Sequence, residues 1–190
     1  MDLLTQMPGV GEKTAERLVY HILRVSRAEA DALAAAISDV RRNVRQCSTC
    51  HQFTESDPCP VCAEGRRQRD TICVVEESRD VRSFEQGGTY RGLYHVLCGR
   101  LAPLDGVEPE NLTVGHLLER VRDGAVKEVI LATNPDMEGE ATALYVRQAL
   151  QGLPVRITRL ARGIPAGSQL EYANPDILAD ALEGRREMKD

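Results

Sequence analysis

Four cysteines stand in two closely spaced pairs, Cys47-x2-Cys50 and Cys59-x2-Cys62, with eight residues between the pairs. Thiolate is a preferred ligand of Zn²⁺, and two pairs of this spacing can place four sulfurs around one tetrahedral ion. Four sulfurs leave no position for water or substrate, so the predicted zinc is structural. The alternative is a set of four reduced cysteines without metal.

Three further residues of ligand type have simpler interpretations. His51 adjoins Cys50, and we interpret it as a supporting or surface residue rather than a fifth ligand. Cys73 and Cys98 fall in predicted strands, and we interpret both as small core residues.

A glycine-rich turn precedes the first long helix. Gly9 and Gly11 permit a tight turn and a close backbone approach. The free amides at the start of the next helix suit a phosphate, and Lys13 and Arg17 share a face near that end. This pattern is typical of a helix-hairpin-helix that contacts the DNA backbone; an ordinary turn between packed helices is the alternative. Residues 1–7 leave about two turns for the hairpin's first helix, so either the true start lies upstream or the hairpin is partly open.

Carboxylates follow two predicted strands. Glu76 ends the first, and the second runs into Asn134, Asp136, Glu138 and Glu140. The carboxyl ends of parallel strands meet at one edge of a sheet, where clustered carboxylates are a candidate Mg²⁺ site. Alternatively, the two later glutamates only stabilise the start of the following helix through its dipole.

The arrangement resembles Toprim domains of topoisomerases and primases, in which one Glu follows the first strand and Asp-x-Asp follows a later one. Here Asn134 takes the place of the first Asp, and a neutral amide binds Mg²⁺ less well than a carboxylate. Met137 stands where a basic residue often follows. Both changes argue against phosphoryl chemistry, and Mg²⁺ binding stays open.

The elements that must position these residues follow from the hydrophobic period. Helical spacing occupies residues 14–24 and 29–45, the latter with the apolar stripe Leu33, Ile37, Val40 and Val44. Residues 46–66 lose periodicity and gain Cys, Pro and Gly. Strands are predicted at residues 71–76, 94–98, 128–133 and 155–161. Helices are predicted between them at residues 80–86, 114–122 and 140–150, and a last one after Asn174-Pro175.

This alternation predicts a mainly parallel sheet flanked by helices. The predicted fold class is a multi-domain α/β chain with a helix-hairpin-helix, a four-cysteine zinc knuckle, a Toprim-like sheet and a C-terminal helix. The predicted divisions are residues 1–45 for the helix-hairpin-helix and following helix, 46–66 for the zinc finger, 70–162 for the Toprim domain and 163–190 for a C-terminal segment that makes oligomer contacts.

Length and composition exclude several classes. A chain of 190 residues with 42% hydrophobic content can bury one core plus small appendages. It contains no run of eighteen apolar residues and no secretory signal pattern at its start, so we expect a cytoplasmic protein without a membrane partner.

The formal charge of −5 is unevenly distributed. Residues 1–72 carry 10 Lys and Arg against 10 Asp and Glu, whereas residues 73–190 carry 14 against 19. Phosphate contacts need cations, so we expect them in the first part. Two basic clusters, at residues 41–45 and 66–69, are candidates, with solvated surface as the alternative.

In their order, the three motifs resemble the RecR family of bacterial recombination-repair proteins. The stretches that carry the resemblance include PGVGEKTAERL, CSTC with CPVC, ICVVEE, EVILATNPDMEGEATALY and TRLARGIPAGSQLEYAN. The resemblance implies a non-catalytic, nucleoid-associated DNA-binding mediator that helps to load RecA onto single-stranded DNA, with RecO and RecF as partners. It also implies a homo-oligomer, a ring-like tetramer that can encircle DNA.

Site roles carried by the resemblance are specific. Lys13 and Arg17 match the family's DNA-contacting residues. The acidic rim matches the region where RecO docks; we define this rim as Glu76, Asn134, Asp136, Glu138 and Glu140. Asp136 departs from the small polar residue expected in the family, which reopens the question of Mg²⁺.

Two other functions stay open. A Toprim nuclease or primase-like enzyme would hold Mg²⁺ with Glu76, Asp136 and Glu138. An adaptor would rely on a protein partner, rather than on its own cations, for binding to DNA.

Overall fold

The computed structural model describes residues 1–187, so the end of the predicted C-terminal segment, residues 188–190, lies outside the described residues. Contacts divide the chain into two units, Met1–Arg45 and a second that begins at Gln46. In residues 1–187, no helix has the length and apolarity needed to cross a bilayer.

Helices make up the first unit: α1 (Asp2–Thr5), α2 (Glu12–Arg24) and α3 (Arg27–Asn43). Ser26 begins α3 with a capping box, in which its hydroxyl accepts from the Glu29 amide and its own amide donates to the Glu29 carboxylate. Such a cap contributes about 1 kcal/mol. The bounds predicted for α2 and α3 from the period of apolar residues agree with the observed bounds to within two residues at each end.

Burial in the first unit is slight. Ala15 is the buried residue of α2, and no residue of α3 is buried. The predicted stripe of Leu33, Ile37 and Val40 lies on one face of α3, but all three side chains are exposed.

The second unit starts with short elements around the cysteines. These are a two-stranded pairing of β1 (Arg45–Gln46) with β2 (Phe53–Thr54), followed by α4 (Pro60–Ala63). A four-stranded parallel sheet follows, in the order β4-β3-β5-β6. Its strands are β3 (Gln68–Val75), β4 (Gly92–Val96), β5 (Glu128–Leu131) and β6 (Arg156–Arg159). The predicted parallel sheet is confirmed.

Helices α5 (Ser78–Gly87), α6 (Val114–Arg122) and α7 (Met137–Ala149) flank the sheet, and α8 (Pro175–Glu183) follows later in the chain. Single 3-10 turns occur at Pro103–Asp105, Pro109–Asn111 and Leu170–Tyr172. The last helix begins at Pro175, as predicted, with Asn174 as its cap.

Alternate residues of the central strand β3 serve two cores. Ile72 and Val74 pack with residues of α6 and α7, among them Leu117 and Val146. Cys73 and Val75 point the other way, into a cluster with Tyr94, Val96, Val81 and Phe84. Burying each large aliphatic side chain contributes about 1.5–3 kcal/mol. The sheet is therefore a middle layer covered on both faces.

The two unpaired cysteines differ from each other. Cys73 is buried, as predicted, and burial raises its pKa to about 12. The prediction that Cys98 is a core residue is wrong. It lies two residues beyond the end of β4, in a left-handed conformation (φ 64°), and its side chain is exposed.

Candidate zinc and nucleic-acid sites

The four cysteines predicted as zinc ligands converge. Their Sγ atoms all lie within 4.8 Å of one another, and all four side chains are buried. A tetrahedral ion with Zn–S bonds of about 2.3 Å separates its sulfurs by roughly 3.8 Å, and the Sγ atoms of Cys50 and Cys59 are 3.6 Å apart. Within residues 1–187, this is the only group of three or more such side chains placed to hold a metal. The geometry fits Zn²⁺.

Local backbone structure aims the sulfurs inward. The His51 amide donates to the Cys47 carbonyl at 2.9 Å, and His51 itself is left-handed (φ 65°), which closes the first turn. The amides of Cys59 and Cys62 donate to the sulfurs of Cys47 (3.3 Å) and Cys59 (3.4 Å). These amide donors stabilise the negatively charged, thiolate form of the sulfurs.

The four thiols differ in how readily they ionise without a cation. Burial opposes ionisation of Cys47, but hydrogen bonds from the amides of Cys59, Cys50 and Thr49 outweigh it and lower its pKa to about 7. A hydrogen bond with Cys62, together with burial, raises the pKa of Cys50 above its usual range, and burial raises the pKa of Cys59 to about 11. Four thiolates need a bound cation such as Zn²⁺ to coexist here.

The zinc knuckle, which we define as residues 47–62, is fixed to the outer edge of β4. The Val96 amide donates to the Cys50 carbonyl at 2.8 Å. The ring of His51 stacks on His116 of α6 with a 4.7 Å centroid separation. Two roles were predicted for His51, a supporting residue or a surface residue. Its side chain is buried, which agrees with the supporting role.

His95 continues this contact into the sheet. Its ring meets His51 edge-on at 5.3 Å. The Arg120 guanidinium, which can only donate, lies 3.2 Å from Nδ1, so Nε2 carries the proton and donates to the Thr113 carbonyl at 3.0 Å. Burial, reinforced by the charge of Arg120, lowers the pKa of His95 to about 3 and keeps the ring neutral.

At the acidic rim, Glu76 is held by its neighbour. The backbone amide of Asn134 donates to one carboxylate oxygen at 2.7 Å, and its side-chain amide donates to the other at 2.6 Å. Glu76 is 3% exposed. The side-chain amide of the asparagine that replaces the expected carboxylate therefore donates a hydrogen bond to Glu76 that an ionised aspartate could not donate.

Asp136 and Gly139 shape the same edge. The Asp136 carboxylate caps α7 by accepting from the Gly139 amide at 2.7 Å. A Cβ on Gly139 would lie 2.1 Å from the Asn134 carbonyl oxygen and 2.9 Å from a Glu76 carboxylate oxygen. Sequence reasoning missed Gly139, although its position three residues after a capping Asp was an available signal.

Arginines neutralise the rest of the rim. Arg100 pairs with Asp136 at 3.1 Å and with Glu138 at 2.6 Å. Arg159 and Arg162 both pair with Glu140. The sequence motifs gave no sign of these cations, because they lie outside the motif that carries the acids. The rim is thus a mixed-charge surface, in which the Glu138 and Glu140 carboxylates have cationic partners.

The glycine turn has two different glycines. Gly9 is left-handed (φ 78°), so the turn requires its freedom. Gly11 is extended and begins α2 without a side-chain cap, and a Cβ there would meet nothing within 4 Å. Open space therefore faces the uncapped amides. Lys13 and Arg17 are exposed, and neither forms an ion pair with any residue of 1–187.

One arginine of a candidate basic cluster is internal, although Arg66 and Arg69 of the same cluster are exposed. Arg67 has a side chain that is only 7% exposed, and it pairs with Glu85 and with Glu64 (2.8 Å). These carboxylates, chiefly Glu85, raise the pKa of Arg67 further. The expectation that this arginine contacts phosphate or solvent is wrong, because it joins the segment that follows the knuckle to α5.

Comparison with known proteins agrees with this architecture. Three family models match: the helix-hairpin-helix of RecR over residues 1–41, the four-cysteine zinc finger domain of RecR over residues 44–63, and the Toprim domain over residues 70–161. Recombination protein RecR of Rhodopirellula baltica is 53% identical over 188 residues, which cover 99% of this chain and 94% of the relative. The chain belongs to the RecR family.

Other RecR proteins give the same result. Recombination protein RecR of Moorella thermoacetica is 52% identical, covering 98% of this chain and 94% of the relative. Recombination protein RecR of Pelotomaculum thermopropionicum is 48% identical, and the match covers 100% of this chain and 94% of the relative. The RecR resemblance drawn from motif order, and the predicted fold class, are confirmed.

Proposed function

We propose that this RecR-family chain is a non-catalytic DNA-binding mediator of recombination repair, acting with RecO and RecF to help load RecA onto single-stranded DNA. One observation carries the DNA-binding role. Lys13 and Arg17 are exposed cations without an ion pair in the described chain, beside uncapped amides at the start of a thirteen-residue helix. Such a site attracts phosphate without reading bases.

The state of the acidic rim supports the absence of catalysis. Magnesium-dependent phosphoryl transfer needs carboxylates that are free to bind the ion. Both oxygens of Glu76 accept from Asn134, and Asp136 caps α7 and pairs with Arg100. We therefore assign Zn²⁺ to Cys47, Cys50, Cys59 and Cys62, as a structural ion, and no Mg²⁺ to the rim.

The rim is instead proposed as the RecO-docking surface. Asp136 and Glu138 keep roughly half and two-fifths of their side chains exposed while paired with Arg100. A partner that offers its own cations or carboxylates could exchange with these exposed pairs. Such pairs contribute more to specificity and association rate than to affinity.

Self-association is proposed as well, as a ring-like tetramer. Leu33, Ile37 and Val40 expose a continuous apolar face on α3, a helix that buries nothing within its own unit. Large exposed apolar faces mark interaction surfaces. The C-terminal segment from residue 163 also exposes Tyr172 and Leu182 and is proposed as a second contact.

Binding titrations at several salt concentrations test the DNA-binding role. Lys13→Ala and Arg17→Ala should each weaken binding and reduce the slope of log K against log salt by about 0.7 for single strands. The matched control is Arg27→Ala, which removes the same charge from a residue paired with Asp31 and should leave the slope unchanged. Unchanged affinity in both test variants would contradict the proposal and favour an adaptor.

Incubation with Mg²⁺ tests the non-catalytic role. We expect no nicking or synthesis by the purified protein. Nicking or synthesis that appears with Mg²⁺ and is lost in Glu76→Ala would identify an enzyme instead.

A further inference from the structure

Four side chains form one line along α2. Lys13, Arg17, Tyr20 and Arg24 are spaced by four, three and four residues. At 3.6 residues per turn they fall within an arc of about 60°, and the line is roughly 16 Å long. Buried Ala15 lies on the opposite side of the helix.

All four side chains are available to a ligand. Each is exposed, Tyr20 by 55%. Within residues 1–187, the three cations form no ion pair, and the Tyr20 ring stacks on no other ring. More than half of the Tyr20 side chain is therefore open to a ligand.

The acidic residues of α2 itself border the line on one side. Glu12 and Glu16 lie toward α1, where they line a groove with Asp2 and with Lys13. A polyanion is repelled from that side and attracted to the face that carries Arg17 and Arg24. The charge pattern therefore orients a nucleic-acid strand along the helix rather than across α1.

We propose that this line binds single-stranded DNA, with Lys13, Arg17 and Arg24 on phosphates and Tyr20 stacked on a base. The inference rests on the proposed DNA binding through Lys13 and Arg17, and adds Arg24, Tyr20 and a preference for unpaired strands. Bases of a duplex are stacked inside the helix, so an aromatic ring on a backbone-contacting face can stack only on an unpaired base. Phosphate contacts alone would not distinguish the two forms.

A tryptophan at position 20 gives a direct measure of stacking. The natural chain contains no tryptophan, so the Tyr20→Trp variant carries a single reporter. Its fluorescence should be strongly quenched by an unstructured thymidine oligonucleotide and little changed by a duplex of equal length. Tyr172→Trp, at an exposed tyrosine outside α2, is the control and should respond to neither.

Affinities measured on the full chain complete the test. Tyr20→Leu should weaken single-strand binding on the order of 10-fold and leave duplex binding unchanged, whereas Tyr20→Phe, which can still stack, should retain it. Arg24→Ala should weaken binding to both forms and reduce the single-strand salt slope by about 0.7.

The outcomes separate this inference from the proposed function. If Lys13→Ala and Arg17→Ala weaken binding but Tyr20→Leu changes nothing, or weakens both forms equally, only the single-strand inference is overturned. If none of these variants affects binding, the proposed function fails too. The fluorescence of the Tyr20→Trp variant could instead change with protein concentration and stay unchanged when DNA is added. That result would place these four side chains at a contact between copies of the chain, and it would overturn the single-strand inference.

Discussion

Asn134 illustrates how one residue changes the chemistry available at a strand end. An aspartate there would face Glu76 with a second negative charge, which a cation would have to offset. The asparagine donates two hydrogen bonds to the same carboxylate. Both carboxylate oxygens of Glu76 thereby have a hydrogen-bond donor, and Gly139 leaves the room that this contact needs.

Gly139→Ala tests that fit. The added methyl would lie 2.1 Å from the Asn134 carbonyl oxygen, so the start of α7 must shift. We expect the free energy of unfolding in urea to fall by about 1–3 kcal/mol. Gly115→Ala on α6 meets nothing within 4 Å and should be neutral or stabilise slightly. Equal effects in the two variants would contradict the fit.

The buried His95 predicts a dependence of stability on pH. Its pKa is about 3 in the folded chain and about 6.5 when unfolded. Below pH 6.5 the unfolded chain therefore binds a proton that the folded chain does not bind, and the free energy of unfolding decreases as pH falls toward 3. The decrease should approach about 1.4 kcal/mol per pH unit, the limit for one proton.

Urea denaturation at pH 7.5, 6 and 5 measures this effect. His95→Gln should show a shallower decrease than the natural protein, with zinc content followed in both. Parallel slopes would rule out His95 as the titrating group.

Single residues set the limit of what the sequence could predict. The spacing of the four cysteines was sufficient to find the zinc site, because a metal constrains its ligands locally. Cys98 and Arg67 were misjudged, because their environments depend on where the chain turns after β4 and on a carboxylate eighteen residues away.

Among the elements, helix α6 was predicted with its observed bounds, since its apolar period is regular and it buries one face. Strand β3 extends three residues before its predicted start, where it carries polar Gln68 and Asp70. Periodicity reports burial, so polar strand ends escape it. It also gave no sign that the apolar face of α3 would lack a partner within its own unit.

The exposed face of α3 yields a prediction about assembly. Ile37→Glu places a charge in the apolar stripe and should dissociate the proposed oligomer, because burying an unpaired carboxylate costs several kcal/mol. Ala35→Glu adds the same charge on the opposite, also exposed, side of α3 and should leave the mass unchanged. Light scattering at micromolar concentration measures the mass of the two variants. An identical mass for Ile37→Glu and Ala35→Glu would show that the apolar face of α3 is not part of the interface.

At the scale of the whole molecule, the zinc knuckle and the sheet form one structure. The Cys50 carbonyl accepts from Val96, and rings of His51 and His116 stack between knuckle and α6. Metal binding at the knuckle should therefore stabilise the sheet as well.

Replacement of single cysteines tests this coupling. Cys59→Ser should release zinc and lower the Tm of the second unit by about 5–10 °C, if two to three kcal/mol are lost. Cys98→Ser, at an exposed cysteine outside the cluster, should keep both zinc and Tm. Thermal denaturation followed by circular dichroism, with zinc content measured in parallel, gives the outcome. Loss of zinc without a change in Tm would show that the knuckle does not stabilise the sheet.

The knuckle also covers part of a sheet margin that would otherwise be open. Unpaired amides and carbonyls along a strand are a template on which another chain can add a strand. Along β4 that margin meets Cys50, while the opposite margin, β6, carries charged Arg156 and Arg159. Without zinc the knuckle would no longer cover this margin of β4. In cells deprived of zinc, newly made protein should therefore tend to aggregate, so the metal would protect the chain against aggregation as well as stabilise its fold.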